Sequence, residues 1–317
     1  MSALVQSVTE DVFPDRSIET VELQNTRPGN EAGLITFAEG DPVYVKTASD
    51  TTERLSREIA ATQYAEDHCP IGTPPIVAAN STGDSPFLVT EPMPGTVLNE
   101  LWTNEADRKP LLRQVGNQIA AVHEAEFDQP GMIIGGDASE LHLTDTSWVE
   151  TLCETVEWRA QDWFADRFRD LPGQLINTIQ AVDPTLDGTT PTLIHGDPSR
   201  VNVYLDPNGL LDWERALVGD PAFGLAEALF HHLGQPDVSE DERPVLQSAL
   251  YEGYRERAGT LPTGFEEKIP LYRAIVNLLI PQAFDDWASS AESKDALAAD
   301  VREDFESRLD QARRVAS

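Results

Sequence analysis

Hydrophobic positions in the first ninety or so residues come in short runs broken by Gly, Pro, Asn and Asp: Val21 to Leu23, Gly33 to Ala38 and Pro42 to Thr47. Runs of this kind, rich in β-branched and aromatic residues, predict strands, and three in succession predict a small antiparallel sheet. From Thr51 to about His68 the period changes. Leu55, Ile59, Thr62 and Ala65 recur every three to four positions, the stripe of an amphipathic helix, and Pro70 and Gly72 stop it. Pro86 to Thr90 reads as a further strand, and the turn-rich Glu91 to Gly95 connector places a lobe boundary near residue 93.

Beyond that point the pattern is mainly helical. Lys109 to Glu126 carries Leu112, Val115, Ile119 and Val122 on one face, and Ser147 to Phe168, Val245 to Arg257 and Pro270 to Ala288 are similarly periodic. Ala291 to Ser317 reads as an acidic helix with a solvated face. Between Thr192 and Leu211 two short apolar runs, Thr192 to His195 and Val201 to Leu205, interrupt the helices, with turns at Asp206 to Gly209. The expected class is α+β: a small antiparallel-sheet lobe with one helix over residues 1–93, and a larger, mainly helical lobe over 94–317. Two lobes also suit the length, since 317 residues exceeds the roughly 250–300 at which a single core stops growing.

Charge changes the picture most. The chain has 55 acidic against 23 basic residues, a formal charge of -32, and only four lysines, Lys46, Lys109, Lys268 and Lys294. Such self-repulsion is tolerable where salt screens it, so a halophilic source is expected. With no basic stripe to displace counterions, nucleic acid is excluded as a partner, and an anionic membrane surface would repel the chain. No apolar run reaches the length of a membrane span, and Met1 to Asp15 lacks the basic start and apolar core of a signal peptide, so cytoplasm is the expectation. Cys69 and Cys153 stand far apart, which suggests neither a disulfide framework nor a thiolate zinc site. One consequence limits everything else: where acid is everywhere, an isolated Asp or Glu says little.

The spacing in the loop region is more informative. His195-Gly196-Asp197 is followed by Asn202, five residues after the aspartate, and then by Leu211-Asp212-Trp213-Glu214. An aspartate on a loop, an asparagine entering a strand and an aspartate after the next turn bring three oxygen-bearing side chains around one point. Magnesium is a hard cation that takes such oxygens together with nucleotide phosphates. The carboxylate left over can orient an attacking hydroxyl and accept its proton.

HGDxxxxN followed by LDWExxxxGDP resembles the aminoglycoside phosphotransferase family, a branch of the protein-kinase-like fold. The resemblance implies that Asp197 is the catalytic base, that Asn202 and Asp212 are the metal ligands, and that His195 braces the catalytic loop. It gives Asp220, in the Gly219-Asp220-Pro221 turn, a structural role. Val43-Tyr44-Val45-Lys46 resembles the strand whose lysine holds the nucleotide α- and β-phosphates. The helix partner of Lys46 is expected to be Glu58, on the apolar side with Leu55; Glu53 is the alternative, although it lies four before Arg57, the spacing of a surface ion pair. Phe87 to Gly95 resembles the hinge, where the backbone around Glu91 would bind adenine while Leu88 and Met93 pack nearby.

Several positions depart from the family or stay open. Arg27 to Gly33 is the one candidate phosphate loop and lacks GxGxxG spacing. The family usually carries an aspartate where this chain has Gly224. Arg200 is a catalytic candidate that approaches the transferring phosphate or else pairs with a carboxylate. His123 reads as a satisfied core histidine, and His231-His232 as helix surface. The function implied is transfer of the γ-phosphoryl of Mg-ATP, or GTP, to a hydroxyl of a small molecule, aminoglycoside-like or a metabolite. The alternative is a catalytically silent nucleotide-binding regulatory module on the same fold. A metal-dependent hydrolase built on His195 and the aspartates would need further ligands that the loop does not supply.

Overall fold

The computed structural model describes residues 3–24, 30–48, 52–82, 86–104, 107–161, 164–182, 186, 188–282 and 284–315. The chain opens with α1 (Ala3–Val12), which was not among the expected elements, and continues through β1 (Ile18–Leu23), β2 (Asn30–Phe37), β3 (Val43–Ala48) and α2 (Thr52–His68). Strands β4 (Ile76–Asn80), β5 (Phe87–Thr90) and β6 (Thr96–Val97) lead to helices α3 (Leu98–Asn104) and α4 (Lys109–Val122). A hairpin of β7 (Gly131–Gly136) and β8 (Leu141–Leu143) precedes α5 (Trp148–Gln161) and α6 (Leu171–Ala181). Four short strands follow, β9 (Thr192–Ile194), β10 (Val203–Leu205), β11 (Gly209–Leu210) and β12 (Leu217–Gly219). Helices α7 (Pro221–Leu233), α8 (Arg243–Ala258), α9 (Phe265–Val276), α10 (Phe284–Trp287) and α11 (Lys294–Val315) complete the chain.

Two compact units emerge. The first comprises Met1–Gln114, Ile133–Leu143 and His195–Ala216. Its main sheet runs β1-β2-β3-β5-β4, every neighbour antiparallel. Side chains on a strand alternate, and β3 shows what that does here. Val43 and Val45 face one way into a cluster with Val5 and Val8 of α1, Ile35, Phe37 and Val89. Ala48 and, on β5, Leu88 face the other way and pack on Leu55 and Ile59 of α2. Lys46 shares this second face by the same period of two. A smaller sheet, β11-β10-β6, belongs to the same unit. It is tied to the segment before β4 by two backbone bonds, Gly72 N–H to the Asn208 carbonyl (2.9 Å) and Leu210 N–H to the Gly72 carbonyl (3.0 Å).

The second unit comprises Val115–Met132, Thr144–Ile194 and Leu217–Ser317 and is mainly helical. Helix α7 begins at the predicted Gly219-Asp220-Pro221 turn. Asp220 caps it by accepting from Ala222 N–H (2.9 Å), and its other oxygen accepts from Lys268 Nζ (2.7 Å) and the Tyr272 hydroxyl (2.8 Å). A second buried ion pair joins Arg159 to Glu227. His123 is buried, its Nδ1 is 2.9 Å from the Tyr254 hydroxyl, and burial pushes its pKa down to about 3. That is the core histidine expected. A Cβ at Gly224 would stand only 2.5 Å from His123 Nε2, so the imidazole occupies the space that the family's usual aspartate would need.

Some expected elements change. The 147–168 periodicity divides into α5 and a short 3-10 turn at Asp166–Phe168. The 270–288 stretch is α9, a 3-10 turn at Asn277–Leu279 and α10, and α9 starts earlier than Pro270, at Phe265 after the left-handed Gly264 (φ 67°). His232 is not on the surface. The face of α7 that carries it is buried, and only His231 of the pair is partly exposed.

Candidate active site

Positions 195–212 form the framework of the site, and local geometry explains why. Asn202 directly precedes β10 and Asp212 follows β11 by one residue, so closing this hairpin brings them side by side. Leu211 N–H donates to the Asn202 carbonyl across the hairpin mouth (2.9 Å). The Asn202 amide donates to the Asp197 carbonyl (3.0 Å), which leaves its side-chain oxygen to accept or to ligate. His195 Nδ1 accepts from Asp197 N–H (3.2 Å), which makes Nε2 the protonated nitrogen that donates to the Leu211 carbonyl (3.1 Å). The ring also packs edge-on against Trp213, with centroids 4.6 Å apart. His195 therefore links the loop bearing Asp197 to the residue before Asp212.

Gly196 has φ 81°, and a Cβ there would strike the Arg215 carbonyl. Only glycine meets both demands. Asp212 has φ 68°, a left-handed conformation rare for a non-glycine residue and of the kind found where structure over-determines a functional side chain.

Lys46 reaches into this framework. Its Nζ lies 2.7 Å from Glu58, 3.0 Å from Asp212 and 3.1 Å from Glu214. Burial disfavours the ammonium, but Asp212, Glu58 and Glu214 together outweigh it and hold its pKa well above the ordinary lysine value. Burial also pushes Asp212 upward, against the pull of Lys46. Burial pushes Glu58 up to about 8 against the pull of Lys46, and the oxygens of the three carboxyl groups lie within 4.8 Å of one another. Three carboxyl groups are an all-oxygen donor set suited to a hard divalent cation such as magnesium, and Asn202 lines the same cavity as Glu58 and Asp212.

Of the two helix glutamates weighed, Glu58 is the one at the lysine; Glu53 is exposed. Arg57 keeps the attraction to Glu53 that the spacing suggested, but it is buried rather than on the surface and donates to the carbonyls of Ile133 (2.9 Å) and Glu214 (3.3 Å). Arg200 is also buried, its guanidinium 3.8 Å over the Trp102 ring, while its carbonyl accepts from Asn99 N–H (2.9 Å). The catalytic loop is thereby fastened to α3. Arg215 Nε approaches Asp197 to 3.8 Å.

A cavity of about 350 Å³ is lined by Lys46, Glu58, Leu88, Glu91 and Met93, together with Asn202 and Asp212. Glu91 itself is exposed and spends its N–H on the Pro75 carbonyl (2.9 Å). Of the candidate phosphate loop, Arg27 to Gly29 lies outside the described residues, and Asn30 to Gly33 is the first half of β2. Reasoning from sequence missed Glu214, Arg57, Arg215 and Trp102. Glu214 is two residues from Asp212, a signal that means little in so acidic a chain.

The family model for "Phosphotransferase enzyme family" matches residues 34–260. No curated protein is similar enough to the chain to count as a relative. Among solved structures, aminoglycoside phosphotransferase APH(4)-Ia is 16% identical with a TM-score of 0.65, each chain covered in full. A thermostable mutant of it, in a ternary complex with ADP and hygromycin B, is 15% identical with a TM-score of 0.63 over 99% of each chain. The GDP and kanamycin complex of APH(2")-IIia is 16% identical, TM-score 0.61, covering 95% of this chain and 98% of that one. A putative fructosamine-3-kinase from Haemophilus somnus 129PT is 17% identical, TM-score 0.61, covering 94% and 95%. With the fold shared across their whole length and more than two thirds of the sequence matched by the family model, the chain belongs to the phosphotransferase enzyme family.

Proposed function

We propose that the chain is a magnesium-dependent kinase that transfers the γ-phosphoryl group of ATP or GTP to a hydroxyl of a small molecule. The observation that carries this reading is the convergence of Glu58, Asp212 and Glu214 on Lys46 within 3.1 Å, beside the loop that bears Asp197 and Asn202. On this reading residues 1–93 form the nucleotide-binding lobe and 94–317 the catalytic and substrate-binding lobe. Lys46, positioned by Glu58, holds the α- and β-phosphates. Leu88, Glu91 and Met93 line the base. Asn202 and Asp212 hold the magnesium ion, which when bound neutralises charge on the phosphates. Asp197 orients the acceptor hydroxyl and takes its proton, and His195 keeps that aspartate in place. Arg200, immobilised on Trp102, contributes positive charge beside the loop.

Complexes of similar structures with ADP in one case and GDP in another support either purine. A fructosamine kinase among aminoglycoside phosphotransferases supports a hydroxyl-bearing acceptor without choosing its class. The charge of -32 supports a protein that works in high salt, and nothing in the composition invites nucleic acid. A cytoplasmic enzyme fits both points.

The test is nucleotide consumption, with magnesium and at high salt, across a panel of hydroxyl compounds. Asp197→Ala is expected to keep nucleotide binding and to lose turnover by roughly 10²–10⁴-fold. Full turnover in that variant, or no acceptor-dependent consumption by the unaltered protein, would sink the reading.

A further inference from the structure

A second cavity, of about 330 Å³, lies wholly within the second unit and shares no residue with the site above. The end of α7, the start of α8, the end of α9 and Arg308 of α11 border it, and it is open to solvent on one side. Three arginines line it, Arg243, Arg273 and Arg308, with the amides of Gln247 and Asn277. No acidic residue among those described does, in a chain where acids outnumber bases 55 to 23. Ion pairing to a carboxylate is sparse at these cations, although Glu240 to Glu242 directly precede Arg243. Only Arg308 is so paired, held in two bonds by Asp304 (2.8 and 3.1 Å), which also accepts from Asn277 (3.1 Å). No salt bridge or side-chain hydrogen bond joins Arg243 or Arg273 to another of the described residues.

The dipole of α9 suits Arg273 in its last turn, but it does not explain Arg243 at the start of α8. Arg243 opens α8, the end of a helix that offers N–H groups rather than carbonyls, and of the last-turn carbonyls near Arg273 two, those of Arg273 and Ile275, already accept from Asn277 N–H. The rest of the wall is apolar, with Leu229, Phe230, Leu233 and Ile280. Guanidinium groups bind phosphate through paired, charge-assisted hydrogen bonds, and a cavity of this size takes more than a bare ion. We propose that this cavity binds a small phosphate ester, with its phosphate on the arginines and its organic part against the apolar wall.

The test measures binding of inorganic phosphate and of phenyl phosphate to the full chain by calorimetry in chloride at fixed ionic strength. Three proteins are compared: the unaltered chain, Arg243→Gln/Arg273→Gln, and Lys46→Ala, which reports any contribution from the nucleotide site. One equivalent of phenyl phosphate is expected to bind the unaltered chain and Lys46→Ala alike, and more tightly than inorganic phosphate. The double variant is expected to bind it at least about tenfold more weakly, with nucleotide affinity unchanged. Both arginines are exposed and glutamine keeps their bulk, so unchanged thermal unfolding is the expected control for folding. Equal binding by the double variant, or no binding by the unaltered chain up to about 10 mM, overturns the proposal. Tighter inorganic phosphate than phenyl phosphate overturns the ester and leaves the cavity a site for the free ion.

Discussion

Lys46 is one of four lysines in the chain, and that scarcity made it legible; so did the fixed intervals joining Asp197, Asn202 and Asp212. Glu58 could be chosen over Glu53 because helical period puts it beside Leu55. Glu214 and Arg57 could not be read. An acid among 55 carries no weight, and an arginine four after a glutamate gives no sign that the fold also turns it inward to two carbonyls. His123 was legible as core and gives a prediction of its own. Its pKa is near 3 when folded, against about 6.5 in an unfolded chain, so between those values the unfolded state binds the extra proton. Stability is therefore expected to fall as pH drops below about 6.5, by up to roughly 1.4 kcal/mol per pH unit from this residue alone. Denaturation midpoints of His123→Gln should show a flatter acid limb than those of the unaltered chain; parallel limbs would remove the histidine from the account.

Among the elements, strands with clear alternation and helices with long stripes were foreseen, whereas α1, β4 and α6 were not. Helix α1 carries Val5 and Val8 at helical spacing, but its role as the cover on one sheet face depends on β3 and β5, distant in sequence. Pro270 misplaced the start of α9, because proline favours a first turn and here sits within the helix. Helix α7, by contrast, was announced by its cap. Asp220 serves both that cap and the buried Lys268, whose side chain is 6% exposed. Asp220→Asn preserves capping ability but leaves the ammonium without its carboxylate, at an expected cost of about 3–5 kcal/mol. Thermal unfolding checks this, and a change under about 1 kcal/mol would mean that Lys268 finds another partner.

For the whole molecule, composition spoke before any motif did. A formal charge of -32 repels itself at distances that dilute buffer leaves unscreened, since the Debye length shrinks from about 10 Å at 0.1 M to about 3 Å at 1 M. The melting temperature is expected to climb steeply over this range of potassium chloride; a flat or falling curve in calorimetry would contradict it. What composition could not reveal is how the parts of the first unit are sutured. Gly72 both gives and receives a backbone bond at the β10–β11 turn, so no change of side chain can cut that seam directly. The sheet that carries Lys46 and the hairpin that carries Asp212 are then expected to move as one. Deuterium should enter the Gly72 and Leu210 amides as slowly as it enters β10, with or without nucleotide; fast uptake at either would mean that the two parts breathe independently.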